Sequence, residues 1–253
     1  MKIAIIGQGN VGSNLHHAFA LKNVKAELLN SHDAQQLASL SGDEWQNAVI
    51  IYAVADNALQ QVAEQVHAPK ALHLHTSGTM PVSVFGADKP HAGVLYFFQS
   101  FSKANLIDDW SDIPVIIEGR NIDDVAAIYT LALTLSSHVF EASQPDRERL
   151  HVAGVFANNF TNCMYRIAAD ILRGTSIPFS ALLPLIDRTA AKVHTMTPLD
   201  AQTGPALRGD TQVINHHLQL LEQLSSQTGA QPRQIYRLLT DYICQSSCPP
   251  VVS

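Results

Sequence analysis

Cysteine and charge are both scarce in this chain. Three cysteines in 253 residues, Cys163, Cys244 and Cys248, are too few and too unevenly placed for a disulfide framework. A reducing compartment is therefore expected, with the cytoplasm as the default. Charged residues make up 15% of the chain, the formal net charge is −6 and no long basic run occurs. Nucleic acid and anionic membrane surfaces are thus not expected partners. No apolar run approaches the roughly 18 residues of a membrane span. Lys2 and four apolar residues before Gly7 are also too short for a signal peptide. What remains, at 46% apolar residues, is core enough for one large domain or two ordinary ones.

The first dozen residues carry the clearest signal. The apolar run Ile3 to Ile6 stops at Gly7, and Gly7, Gly9 and Gly12 follow at G-x-G-x-x-G spacing. Val11, Leu15, Ala18 and Phe19 then recur at helical spacing. In that pattern Gly7 turns the chain out of a buried strand, and Gly9 admits a pyrophosphate to the backbone. Gly12 lets the helix pack against the strand it has left. The N–H groups at Asn10 and Val11 face the phosphates, aided by the helix dipole. Residues 24–29 read as a second strand, which completes a β-α-β unit.

The tip of that strand selects the nucleotide. An NAD site usually places Asp or Glu there for the ribose hydroxyls. Here Asn30, Ser31 and His32 occupy the tip, and Asp33 suits the cap of the next helix. With no carboxylate to repel a 2′-phosphate, NADP is preferred to NAD, although no Arg is present to clamp it. Residues 48–55 form an apolar run that fits a parallel strand covered on both faces, and Asp56 suits a helix cap. Another strand, 71–75, ends in Thr76-Ser77-Gly78. The tips after Val54, Ala55 and His75, Thr76 included, therefore belong beside the dinucleotide, with His75 and Ser77 as polar groups near its nicotinamide end. Thr76-Ser77-Gly78 reads equally as a simple turn. His73 and His75 share a strand face, but with no acid or cysteine nearby a metal site completed by His91 is the weaker reading, so none is assigned.

Further strands are expected at 92–98, 113–118 and 138–141, with a helix opened by Asn121, Asp123 and Asp124. The nucleotide domain should end near Ala142. The rest, 143–253, shows helical periodicity and no convincing strand. A long central helix is expected from Pro145 to Gly174, on the order of 40 Å at 1.5 Å per residue. It is apolar on two sides, as in a bundle or dimer interface. Asp210 caps a later helix that Gly229 stops, Pro232 opens the last one, and the tail from Cys248 should fray.

This plan resembles the β-hydroxyacid dehydrogenase superfamily, especially pyrroline-5-carboxylate reductases and deazaflavin-dependent NADP oxidoreductases. The matching stretches are residues 2–12, Asn30-Ser31, and 50–56. The whole chain is similar to an uncharacterised Rossmann-like family with a helical C-terminal domain of unknown function. The marks of that family are His75-Thr76-Ser77-Gly78, Phe98-Gln99-Ser100-Phe101, the helix around Asn158-Asn159, and the loop Thr203 to Asp210. The resemblance implies an α/β, Rossmann-type, mostly parallel sheet over 1–142. An all-α domain over 143–253 would serve substrate binding and homodimer formation.

Hydroxyacid dehydrogenases of this plan carry a catalytic Lys early in the long helix. No Lys lies between Lys103 and Lys192 in this chain. His151 occupies the region, with Asn158 seven residues on and nearly aligned on the helix face. His151 could protonate a carbonyl or imine during hydride transfer. Arg208 could clamp a substrate carboxylate or phosphate. The expected function is an NADP-dependent oxidoreductase acting on a small C=O or C=N substrate in an interdomain cleft, with His151, Asn158, Arg208 and Ser77 as catalytic candidates. The alternative is a non-catalytic NADP(H)-binding sensor or regulatory protein.

Overall fold

The computed structural model describes residues 2–246, so Cys248 and the tail expected to fray lie outside the described residues. The chain divides after Asn158 into two compact units.

In the first unit β1 (Ile3–Ile6) leads into α1 (Asn10–Leu21), β2 (Ala26–Leu29) and α2 (Ala34–Ser39). Then follow β3 (Val49–Tyr52), α3 (Asp56–Glu64), β4 (Leu72–His75), β5 (Ala92–Phe97) and β6 (Val115–Gly119). α4 (Ile122–Leu133), β7 (Val139–Glu141) and α5 (Gln144–Gly154) complete it. The strands form one seven-stranded sheet in the order β2-β1-β3-β4-β5-β6-β7. Neighbours pair in parallel except β5 with β6, so β6 and β7 run against the others.

β1 and β3 are buried throughout, as strands covered on both faces require. Period-two alternation divides their side chains between two cores. Ile3 and Ile5 join Leu15, Phe19, Leu95 and Trp110 on one face. Ala4 and Ile6 join Tyr52, Leu59 and Phe85 on the other. The caps follow local chemistry. Asp33 accepts from the Gln35 and Gln36 N–H groups and opens α2, and Asn121 accepts from Asp124 N to open α4. Asp56 is not a cap. Ala55 holds that position and Asp56 lies in the first turn of α3, because its carboxylate is engaged by the Thr79 hydroxyl at 2.6 Å.

The helix expected from Pro145 to Gly174 is helical throughout but not uniform. Ser143 caps α5, a π-helical stretch occupies Val155–Phe160, and α6 (Thr161–Leu172) follows. Gly174, at φ +82°, lies just beyond its end. Periodicity over so short a stretch does not separate a π turn from an α turn. The second unit continues with α7 (Leu183–Lys192), α8 (Pro198–Ala201), α9 (Pro205–Arg208), α10 (Thr211–Gln223), α11 (Ser225–Thr228) and α12 (Gln231–Ser246). Asp210 caps α10 by accepting from Val213 N. α12 packs on α9 and α10, fastened by a Cys244 Sγ contact to the Ala206 carbonyl and by His217–Tyr236 at 2.9 Å. Among the described residues no helix is long and apolar enough to cross a membrane.

Candidate functional site

β1 lies between β2 and β3, so the chain leaves β1 toward one side of the sheet and later continues on the other. Ligand crevices of open α/β sheets form at the carboxyl ends of strands flanking such a switch. The glycine loop is built for this place. Gly7 has φ +115°, and a Cβ on it would lie 2.3 Å from the Ala53 carbonyl oxygen. A Cβ on Gly12 would lie 1.8 Å from the Gly7 carbonyl oxygen. Over Gly9 there is open space, and α1 starts there with no side-chain cap. The first-turn N–H groups are thus left for an anion, and the arrangement fits the pyrophosphate of a dinucleotide.

A crevice of about 420 Å³ opens at this point. Gly9, Asn10 and Val11 line it from the β1 end, Val54, Ala55 and Asp56 from the β3 end, and Thr76, Ser77 and Gly78 from the β4 end. Tyr96, Gln99 and Phe101 contribute from the end of β5, and His151 from α5. Asn30, Ser31 and His32 lie at the tip of β2. Asn30 Oδ1 accepts from His32 N at 3.0 Å, so the Nδ2 amide is its remaining side-chain polar atom. The carboxylate of Asp33 is turned into the α2 cap.

The reactive-looking pair is Tyr96 and His151, with Tyr96 Oη 3.0 Å from His151 Nδ1. Alternation along β5 puts Tyr96 on the face opposite Leu95 and Phe97, at the strand's carboxyl end. α5 can approach because two glycines lack side chains. A Cβ on Gly78 would lie 2.6 Å from His151 Nδ1, and one on Gly154 would lie 2.6 Å from Phe98 Cε2. One turn before His151, on the same face of α5, the wholly buried Arg147 anchors the helix. Its guanidinium pairs with Glu118 on β6 and donates to the Met80 carbonyl. Partial burial raises the Tyr96 phenol above its ordinary value, with the Arg147 charge acting in the opposite sense. The phenol therefore keeps its proton at neutral pH.

The other candidates are differently placed. Ser77 is nearly buried, and its Oγ accepts from Thr79 N and Met80 N, which holds the turn after β4. His75 is fully buried beneath that turn, with Nδ1 accepting from Ser77 N, and burial pushes it down to about 4. It is a neutral framework group and does not line the crevice. His73 has both ring nitrogens engaged, by the Tyr52 hydroxyl and the Ala68 carbonyl, while His91 bonds Asp124. Asn158 is exposed in the π-helical stretch and does not line the crevice, and Arg208 is exposed in the second unit. Sequence reasoning missed Tyr96 and the place of Asp56. Tyr96 sits in an apolar strand run, and the only signal for it was a phenol one residue from a strand's carboxyl end.

The structure is similar to several solved ones. A Bacteroides fragilis protein described as a candidate NADP oxidoreductase is 35% identical, with a TM-score of 0.81 over 96% of this chain and 98% of that one. A Thermotoga maritima protein is 21% identical, with a TM-score of 0.70 over 97% and 98%. An imine reductase from Myxococcus stipitatus, solved with NADP+, is 17% identical, with a TM-score of 0.62 over 97% and 92%. The last two share the fold. A search of curated proteins finds no match. The profile of the domain of unknown function DUF2520 matches residues 113–243, more than half of the chain, and the protein belongs to that family.

Proposed function

We propose that the protein is an NADP-dependent oxidoreductase that reduces a small C=O or C=N compound. The observation that carries this reading is the Tyr96–His151 pair, set in the same crevice as the glycine loop. The absence of a carboxylate aimed outward at the β2 tip supports NADP over NAD, as does the 35% identical Bacteroides protein. When bound, NADPH supplies the hydride from its nicotinamide C4. Tyr96 Oη gives its proton to the substrate oxygen or nitrogen that receives the electron pair. His151 Nδ1–H passes a proton to the phenolate left behind, and Nε2 takes a replacement from water. His151 thus does the work for which a lysine is absent from α5.

A screen of carbonyl and imine compounds, read by NADPH absorbance, tests the proposal. Tyr96→Phe should lower turnover about 100-fold or more while NADPH affinity stays the same. Full activity in both Tyr96→Phe and His151→Ala would sink it. The missing lysine favours a second reading, a sensor without turnover. Tight NADPH binding with no oxidation across a broad panel would select it.

The helical unit is proposed to form a homodimer. Among its described residues only Ala206, Leu218, Leu221 and Pro232 are buried apolar side chains, whereas Leu185, Leu199 and Leu238 are 64%, 64% and 69% exposed. Apolar surface on that scale needs a cover. Light scattering should report twice the chain mass, and Leu238→Asp should shift it toward the monomer.

A further inference from the structure

We propose that Lys103 is the phosphate clamp of the nucleotide site, pairing its ammonium with the pyrophosphate of the bound dinucleotide; this rests on the cofactor reading above. The segment that carries Lys103 is tied to α1. Asn14, fully buried on α1, spends both ends of its amide on that segment: Nδ2 donates to the Ser102 carbonyl at 3.0 Å, and Oδ1 accepts from Ile107 N at 2.9 Å. Asn10, the first residue of α1, accepts from Lys103 N at 2.9 Å. Phe101, which lines the crevice, stacks on Trp110 at 5.1 Å. Four contacts therefore fix the Lys103 backbone beside the turn whose N–H groups await an anion.

Charge supplies the second half of the argument. The lining of the crevice includes the carboxylate of Asp56 and neither Lys nor Arg. A pyrophosphate brings two negative charges, against which the dipole of α1 offers about half of one. A cation from outside the glycine loop would offset the remaining charge. The acids of the Lys103 segment are directed elsewhere: Asp108 bonds His17 at 2.7 Å, and Asp109 accepts from Ser111 N. Lys103 is exposed, and among the described residues no carboxylate pairs with it. Its flexible stem, on a backbone bonded to Asn10, lets the ammonium swing over the first turn.

The test is equilibrium binding of NADPH, ADP-ribose and 2′-AMP to the full chain, followed by calorimetry. ADP-ribose keeps the pyrophosphate without the 2′-phosphate, and 2′-AMP has no pyrophosphate. Lys103→Gln should weaken NADPH and ADP-ribose about tenfold, as loss of a charge-assisted contact does, and leave 2′-AMP within about twofold. Lys103→Arg should stay within about threefold of the parent for all three. The gap between parent and Lys103→Gln should narrow as salt rises. Parent affinity for ADP-ribose in Lys103→Gln overturns the inference, and so does equal weakening of all three ligands, which would report a displaced segment. A parent protein that binds none of them overturns the cofactor reading itself and this inference with it.

Discussion

Replacing Gly78 by alanine isolates the Tyr96–His151 pair without touching either residue. The backbone at Gly78 is outside the left-handed region, so the new methyl group acts through space alone. That Cβ would lie 2.6 Å from His151 Nδ1 and 2.9 Å from Tyr96 Cζ, whereas ordinary contact begins near 3.4 Å. The imidazole must retreat by about 0.8 Å and the phenol by about half an ångström, and both retreats act on a hydrogen bond 3.0 Å long. Two consequences follow. Overpacking of this kind costs about 1–3 kcal/mol of stability, read as a shift in the urea midpoint at constant slope. A misplacement of this order in the proposed proton path should lower kcat about 100-fold, read in the NADPH oxidation assay. Removing the imidazole should return much of the lost stability, so Gly78→Ala/His151→Ala should be less destabilised than the sum of the single changes. Undiminished turnover in Gly78→Ala, or strict additivity of the two stability losses, would refute the reasoning.

Other perturbations follow from the same geometry. Gly12→Ala puts a methyl group 1.8 Å from the Gly7 carbonyl oxygen, against backbone that cannot yield cheaply; NADPH binding should disappear and thermal denaturation should move down by several degrees. Arg147→Met leaves Glu118 and the Met80 carbonyl without their donor. A destabilisation of about 3 kcal/mol is expected in urea, near the low end for broken buried pairs because Glu118 is partly exposed. His73 and His75 are both lowered by burial to about 4. Between that value and about 6.5 the unfolded chain binds protons that the folded one does not, so stability is full above pH 6.5 and falls as pH drops toward 4. Each histidine contributes about 3 kcal/mol to that fall; urea midpoints from pH 7 to pH 4 should show it, and His73→Gln should flatten the slope.

Much of the nucleotide-binding unit is legible in the residues because the signals there are local. Glycine spacing, apolar runs of strand length and cap residues such as Asp33 and Asn121 act within a few residues of themselves. The carboxyl-end tips at Val54, Ala55, Thr76 and Ser77 follow once the strands are known. What escapes is set by contacts distant in sequence. Tyr96 gains its meaning from His151, fifty-five positions later, and from two glycines that let α5 approach. Asp56 follows the cap rules for its residue type, yet Thr79 takes its carboxylate. The apolar stripe continues through Val155–Phe160 in either helical form, so the pattern that announces the helix hides its π turn.

The reversal of β6 reaches beyond pairing. A chain leaving β5 for a parallel neighbour must cross to the opposite edge of the sheet before it can start the next strand. Because β6 runs the other way, residues 98–114 begin and end at the crevice edge. One inverted strand thus gives the nucleotide pocket a roof that carries no ladder of its own, tethered through Asn10 and Asn14. Outside its core residues Trp110 and Ile113, such a roof can lengthen, shorten or change its side chains during divergence while the seven-stranded sheet stays intact. Relatives with different nucleotide or substrate preferences should differ most in this segment, and exchanging it between them is the shortest engineering route to a changed preference.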